Sequence, residues 1–402
     1  MTRLSAVPAR VAADRRSAIP AASGWLAWCR EGFEAECRTE LAAAIAARAS
    51  APDLAATTVP GLVRLECVEA PAPWPVVPVA GLVFARQTAR VVAECVTLTD
   101  RDRIGPLVAM ACASGLRVGA VRVEYPDSDA GKRLSGLCRR LAPLLAAGLT
   151  DAGILGGAPG APMLHVVFTE PRRALLAVSL PEEAGPWHNG IPRLRMPGPA
   201  PSRSTLKLAE AFEVMLTADE RARWLCPGMR AVDLGAAPGG WTWQLIARGI
   251  GVTAVDNGPL KGDLVDNALV RHLREDGFRF RPRAPVDWLT CDMIASPARV
   301  AALVADWIAN GHAQRAMFNL KLPMKRRSAE IERLRGLFVE RLSGAGHGFD
   351  LRLKHLYHDR EEVTGFCTAA GRTAARKAGR DDRMPARGGG GRRQRNGREV
   401  RQ

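Results

Sequence analysis

The sequence predicts an α/β protein: a Rossmann-like domain in the C-terminal half, preceded by two small α+β domains. Three observations carry this. From about residue 204 to about residue 345, strands alternate with helices, the pattern of a mostly parallel sheet covered on both faces. Within that stretch, MRAVDLGAAPGGWTWQLIARG (229–249) reads as a strand, a small-residue loop and a helix. Residues 24–180 instead mix short strands with amphipathic helices, and a Pro- and Gly-rich segment (181–203) separates the two regions.

The elements follow in order. Residues 1–23 contain arginines but no continuous apolar run, and read as a disordered leader, with a targeting peptide as the alternative. In 24–86, Phe33, Cys37, Leu41, Ala44 and Ile45 recur at helical spacing, which predicts a helix over 31–48. LVRLECV (62–68) alternates like a strand. In 87–180, ARVVAECV, LRVGAVRVEYPD, MLHVVFTEP and ALLAVSL read as strands. DRIGPLVAMACASG reads as a helix closed by Gly115, and AGKRLSGLCRRLAPLLAAGL as a second helix. Residues 181–203 are a linker, 204–370 the Rossmann-like domain, and 371–402 a disordered Arg/Gly-rich tail.

Composition narrows the function classes. The chain has 402 residues, 47% hydrophobic and 24% charged, which fits a globular protein of two or three domains. No stretch has the apolar length to cross a bilayer. Nine scattered cysteines form no CxxC pair and the histidines form no HExxH pattern, so no metal site is predicted. An odd number of unpaired cysteines suits a reducing cytoplasm. The net charge is +16, and the tail from Gly371 supplies half of it, with ten Arg and one Lys against two Asp and one Glu. A polyanionic partner is the natural inference. Monomer is the default oligomeric state. Lys132, Arg133, Arg139 and Arg140 are candidate phosphate contacts, or equally a solvated face.

The strongest local motif is the loop Gly235-Ala236-Ala237-Pro238-Gly239-Gly240, opening a helix at Trp241. Its glycines let the backbone approach a ligand, and the helix start offers N–H groups. The next strand, VTAVD, ends at Asp256, where dinucleotide folds place an acid for ribose hydroxyls. The loop is not G-x-G-x-x-G. It is D-L-G-x-x-P-G-G, which resembles motif I of S-adenosylmethionine (SAM)-dependent methyltransferases. Asp276, in REDGF, could accept from an adenine amino group, and Asp292 ends the strand DWLTCDM.

FNLKL places Lys321 at the end of a strand, between Leu320 and Leu322 and near Asp292. A lysine desolvated there with positive neighbours can have its pKa lowered from about 10.4 toward neutrality and take a proton from a hydroxyl. Lys207 lies beside the apolar face of the helix RSTLKLAEAFEVML. Glu362 lies at the start of a late strand, with Glu361 an equal candidate from spacing alone.

The order Lys207, Asp292, Lys321, Glu362 resembles the K-D-K-E tetrad of FtsJ-type ribose 2'-O-methyltransferases. PSRSTLKLAEAF, AVDLGAAPGGWTWQL, VDNGP, LREDGFRFRP, CDM, FNLKLPMK and LYHDREEVT are similar to one branch, the RlmM family, as are CREGFEAEC, LVFARQ and GIPRLRMP upstream. The resemblance covers about Trp25 to Thr368. It implies SAM as cofactor and, as substrate, the 2'-hydroxyl of a cytidine in the peptidyl-transferase region of 23S ribosomal RNA, free or in a pre-ribosomal particle. It implies a ferredoxin-like domain over 24–86 and an RNA-binding THUMP domain over 87–180. It places SAM contacts on Ser204, Ala237, Pro238, Gly239, Gly240, Trp241, Asp256, Asp276 and Asp292, and the proton acceptor on Lys321, without a metal.

Four alternatives stand beside this reading. A base methyltransferase of the exocyclic-amine type would carry an N/D-P-P-aromatic motif, which is missing. A carbon-5 enzyme would need a Pro-Cys partner for Cys291, also missing. An RNA-binding ribosome assembly factor without catalysis and a methyltransferase of another RNA are the remaining alternatives.

Overall fold

A computed structural model describes residues 22–48, 54–67, 75–158, 160–346 and 348–370. Of the expected leader (1–23), residues 1–21 lie outside the described residues, as does the tail from residue 371. Ala22 is buried and the Ser23 N–H donates to the Val91 carbonyl at 2.8 Å, so these two residues belong to the sheet and not to a disordered leader.

The N-terminal region folds as β1 (Gly24–Trp28), α1 (Glu34–Ala46), β2 (Leu54–Val59), β3 (Leu62–Cys67), β4 (Gln87–Cys95), α2 (Ile104–Ala113), β5 (Ala120–Glu124), α3 (Asp129–Lys132), α4 (Ser135–Asp151), β6 (Met163–Glu170) and β7 (Arg173–Ser179). The two α+β stretches share one seven-stranded sheet, ordered β2-β3-β1-β4-β7-β6-β5. The join is β4, which pairs antiparallel with β1 on one side and with β7 on the other. In β1, Trp25 and Ala27 enter one core cluster, and Leu26 and Trp28 another on the opposite face, as a period of two requires. The single helix expected over 130–149 is broken into α3 and α4. Ser128 caps the first turn by accepting from the Gly131 N–H, and the helix restarts at Ser135.

One buried cluster in this sheet has the geometry of a catalytic triad. His165 Nδ1 lies 2.8 Å from Glu124 Oε2, and Nε2 lies 2.8 Å from Ser179 Oγ. All three residues are at most 1% exposed, so no substrate reaches the hydroxyl. Glu124 also accepts from the Asn189 N–H at 2.7 Å, which ties the 181–203 segment to the sheet.

The C-terminal region folds as α5 (Thr205–Met215), α6 (Ala218–Trp224), β8 (Arg230–Leu234), α7 (Gly240–Ile246), β9 (Gly251–Val255), β10 (Val270–Leu273), β11 (Val286–Cys291), α8 (Pro297–Ala309), β12 (Ala313–Lys321), α9 (Arg327–Gly344), β13 (Gly348–Lys354) and β14 (Glu362–Ala370). Its sheet runs β10-β9-β8-β11-β12-β14-β13. The first five strands are parallel, and β14 pairs antiparallel with β12 and β13. This is a Rossmann-like α/β fold. The central strands are near-continuous apolar runs because helices cover both faces. α8 begins with Pro297 at its first position and buries Val300, Leu303, Val304, Trp307 and Ile308, each contributing roughly 1.5–3 kcal/mol. Strand order reverses between β8 and β11, so a crevice opens beyond their carboxyl ends, where ligands of such sheets bind.

The two regions dock through α1, α9 and β13. Arg327 of α9 reaches Glu36 of α1 at 3.2 Å and lies 4.2 Å over the Phe33 ring.

Candidate active site

Four chain segments bring the predicted lysines and acids together. β12 carries Lys321 at its end, directly opposite Glu362 at the start of the antiparallel β14. Asp292 follows the neighbouring β11, and its Oδ1 lies 3.9 Å from Lys321 Nζ. Lys207, on α5, forms an ion pair and hydrogen bond with Glu362 Oε1. Glu361 points elsewhere and accepts from Arg327 Nη2 at 2.8 Å, so the geometry separates two residues that spacing left equal.

The electrostatics centre on the Lys207–Glu362 pair. Burial would push the Lys207 ammonium down, but the Asp292 and Glu362 carboxylates and the Glu362 hydrogen bond outweigh it and hold the group up. Burial would push the Glu362 carboxyl up, but Lys207, with Lys321 behind it, holds it below the usual carboxylate range. Lys207 is therefore compensated by a partner, and two carboxylates, Asp292 and Glu362, stand beside Lys321. The Lys321 side chain is 35% exposed, so its expected desolvation is partial.

The glycine loop lies across the reversal of strand order. Gly235 has φ 76°, and a Cβ there would lie 2.7 Å from Met293 Cγ. Gly239 has φ 113°, and a Cβ on Gly240 would lie 2.1 Å from Ser204 Oγ. Asp256 holds the loop by accepting from the Ala237 N–H at 2.9 Å and the Gly258 N–H at 2.7 Å. The Ala237–Pro238 peptide bond is cis. Asp276 accepts from the Phe278 N–H at 2.9 Å, and its turn packs against Met293, next to Asp292. Below the loop, Asp233 accepts from Thr242 at 2.7 Å and Thr290 at 2.9 Å, and burial pushes its carboxyl up to about 6. Trp241 is 3% exposed and its ring belongs to the core, so only its backbone borders the loop.

Comparison with known proteins places this geometry. Residues 102–180 match the family model "Ribosomal RNA large subunit methyltransferase M, N-terminal", and residues 200–321 match "FtsJ-like methyltransferase". Ribosomal RNA large subunit methyltransferase M of Azoarcus sp. (strain BH72) is 49% identical over 360 residues, 86% of this chain and 96% of its own length. The chain belongs to the ribosomal RNA large subunit methyltransferase M (RlmM) family. The RlmM protein of Thauera aminoaromatica is 47% identical over 362 residues, 88% of this chain and 98% of its own. Among solved structures, TrmN from Thermus thermophilus aligns over 86% of this chain and 99% of its own, at 17% identity and a TM-score of 0.31.

In this RlmM-family chain the donor set fits an adenosyl cofactor. The glycine cradle leaves space that side chains would fill, and Asp256, Asp276 and Asp292 stand at the carboxyl ends of three successive strands around it. A cleft of about 850 Å³ adjoins the lysines. Lys207, Lys321, Glu362, Ser204, Arg203 and Tyr357 line one wall, and Arg30, Glu31, Asp127, Asp129 and Lys132 of the N-terminal region the other. Of the basic residues singled out in 130–140, Lys132 borders this cleft and pairs with Asp129 at 2.8 Å, while Arg139 and Arg140 lie exposed on α4. Sequence reasoning missed Asn319, Thr364 and Asp359, which hydrogen-bond behind Asp292. Asn319 had a signal: it is a polar residue two positions before Lys321 in an apolar strand.

No helix among the described residues is long and apolar enough to cross a membrane, and these residues contain no cluster of His, Cys, Asp and Glu that could hold a metal.

Proposed function

We propose that this chain is a SAM-dependent methyltransferase of large-subunit (23S) ribosomal RNA that modifies the ribose 2'-hydroxyl of a cytidine in the peptidyl-transferase region. The observation that carries the reading is the convergence of Lys207, Asp292, Lys321 and Glu362 beside the glycine cradle. The printed names of the relatives, which are large-subunit ribosomal RNA methyltransferases, favour the same substrate class. Ser204, the 237–240 loop and the Trp241 backbone, Asp256, Asp276 and Asp292 would hold SAM. The N-terminal region, with ferredoxin-like and THUMP-like parts, would hold the RNA across the cleft, and the enzyme would work as a cytoplasmic monomer.

SAM supplies an electrophilic methyl group on a sulfonium. The chain's own residues do the rest. The cleft walls position the ribose oxygen in line with that methyl, and alignment supplies much of the rate. Lys321 Nζ, once neutral, accepts the 2'-hydroxyl proton as the oxygen bonds to carbon. Asp292 orients Lys321 and stabilises the ammonium that forms. The Lys207–Glu362 pair keeps a carboxylate directly across the strand pair from Lys321.

The test is methyl transfer from labelled SAM to large-subunit ribosomal RNA lacking the modification, with products mapped by nuclease digestion and mass spectrometry. A 2'-O-methylcytidine made by the wild type and not by Lys321→Ala supports the reading. A base-methylated product overturns the role of Lys321, and absence of any product overturns the activity.

A further inference from the structure

Behind the lysine, the same face of the sheet carries a chain of buried polar groups. Asn319 lies two residues before Lys321 on β12, Thr364 lies two after Glu362 on β14, and Asn319 and Thr364 are register partners. A period of two puts all four on one face. Asn319 is 1% exposed, and Thr364 and Asp359 are fully buried. Asn319 Nδ2 donates at 2.9 Å to Asp292 Oδ1, the oxygen that faces Lys321. On its other side, Asn319 Oδ1 lies 2.9 Å from Thr364 Oγ1. Thr364 Oγ1 in turn lies 3.1 Å and 3.0 Å from the two Asp359 carboxyl oxygens, and the Leu356 N–H donates to Asp359 Oδ2 at 3.0 Å.

Counting protons along this chain favours one arrangement. Asp292 accepts, so the Asn319 amide must turn Nδ2 toward it and Oδ1 toward Thr364. The Thr364 hydroxyl is the donor that reaches Asn319 Oδ1, and it has one proton. Thr364 Oγ1 must then accept from Asp359, whose Oδ2 is already taken by the Leu356 N–H. The proton therefore sits on Asp359 Oδ1. If Asp359 were ionised, Thr364 would donate to it. Two buried oxygens, Thr364 Oγ1 and Asn319 Oδ1, would then meet at 2.9 Å with no proton between them, beside a fully buried carboxylate.

We propose that Asp359, Thr364 and Asn319 form a positioning relay that holds Asp292 against Lys321, with a proton resident on Asp359. The proposal rests on the reading of Lys321 as the base. Burial, opposed by the Leu356 N–H and Lys207 and aided by Glu210 and Glu362, pushes the Asp359 carboxyl well above its usual range. Lys207, Lys321, Asp233 and the Cys291 thiol are among the charged or titratable groups that face Asp292. A neutral relay orients Asp292 without adding a further carboxylate charge that would hold the lysine proton more tightly.

The test compares Asp359→Ala with Asp359→Asn and Thr364→Val with Thr364→Ser in the full-length protein, with kcat and the KM for SAM measured separately. Asp359→Ala and Thr364→Val are expected to lose about tenfold or more in kcat, with a smaller rise in the KM for SAM through Asp292, and Asp359→Asn and Thr364→Ser, which keep a donor, to regain most of that loss. In parallel, protein labelled with 13C at aspartate carboxyls is titrated by NMR. The resonance missing from the Asp359→Asn spectrum should keep the shift of a protonated acid at neutral pH. Asp359→Asn as impaired as Asp359→Ala, or a resonance titrating near the ordinary aspartate value of about 3.9, overturns the relay. The titration is read without turnover, so its outcome is separate from whether Lys321 is the base.

Discussion

Lys321 and Glu362 stand directly opposite each other across the antiparallel β12–β14 pair. Opposed residues in such a pair keep their Cβ atoms about 4.5–5.5 Å apart. The lysine thus has a carboxylate on its strand partner, a second carboxylate 3.9 Å away on Asp292, and an ammonium, Lys207, bound to the first. An alternating set of charges at the mouth of a cleft is suited to moving one proton without moving the backbone.

Removing the amine tests the centre of that set. Lys321→Ala should lower kcat for methyl transfer by about 10²- to 10⁴-fold, the range for loss of a general base. SAM affinity, measured by calorimetry, should change little because the glycine loop and Asp256 are untouched. A folded variant that no longer binds SAM would show that Lys321 belongs to the cofactor site instead.

Glu362 and Glu361 should behave differently. Glu362→Gln leaves Lys207 a half-buried ammonium without its partner and should cost on the order of 3 kcal/mol. Glu361 is 55% exposed, and Glu361→Gln should cost less than about 1 kcal/mol and leave turnover near wild type. The pH dependence has a definite sign. Glu362 is held below its unfolded value, so its stabilisation is present above the ordinary glutamate range near 4.3 and disappears as pH falls through the lower folded value. Denaturation midpoints of wild type and Glu362→Gln should therefore converge on acidification, and a constant gap down to low pH would contradict the pair.

The glycine cradle makes a steric prediction. In Gly240→Ala the new methyl would lie 2.1 Å from Ser204 Oγ and 2.9 Å from the Thr205 backbone nitrogen, so α5 must shift, and Lys207 with it. The expected cost is about 1–3 kcal/mol in stability together with a clear loss of SAM affinity. Gly336→Ala is the control. It lies inside α9 with nothing within 4 Å of the new methyl, and should raise stability by roughly 0.5–1 kcal/mol.

Much of this architecture is legible in the sequence because it is local. The DLGAAPGG loop, the acid at Asp256 and the strand ending at Lys321 announce themselves by spacing and by glycine. What is not legible depends on distant partners. The choice of Glu362 over Glu361 needs Lys207, 155 residues away. Trp241 sits in the motif, yet its ring goes to the core because the helix it opens packs that way. Asp359 is one of three acids in HDREE, and only tertiary packing buries it. The shared N-terminal sheet depends on β4 pairing on both edges, and its pairs with β1 and β7 join residues far apart in sequence.

A contact that joins β13 to the N-terminal region is also testable. Lys354 of β13 is 7% exposed, and its Nζ donates to the carbonyls of Val79 at 2.7 Å and of Leu82 and Ala85 at 2.8 Å. Glu40 of α1 grips the same segment from its other polarity, accepting from the N–H groups of Val83, Phe84 and Ala85 at 2.6–2.7 Å. Lys354→Met strands three carbonyls and the Glu40 carboxylate, and should cost about 3–5 kcal/mol. The N-terminal region should become protease-sensitive near 79–85, and the KM for RNA should rise while SAM affinity holds. Burial pulls the Lys354 ammonium down to about 8, against the opposing pull of Glu40. The unfolded chain binds that proton more tightly, so the wild type should gain stability relative to Lys354→Met as pH rises from about 8 toward the ordinary lysine range near 10.4. A stability difference that narrows over that range would mean that the three carbonyls, not desolvation, set the charge of Lys354.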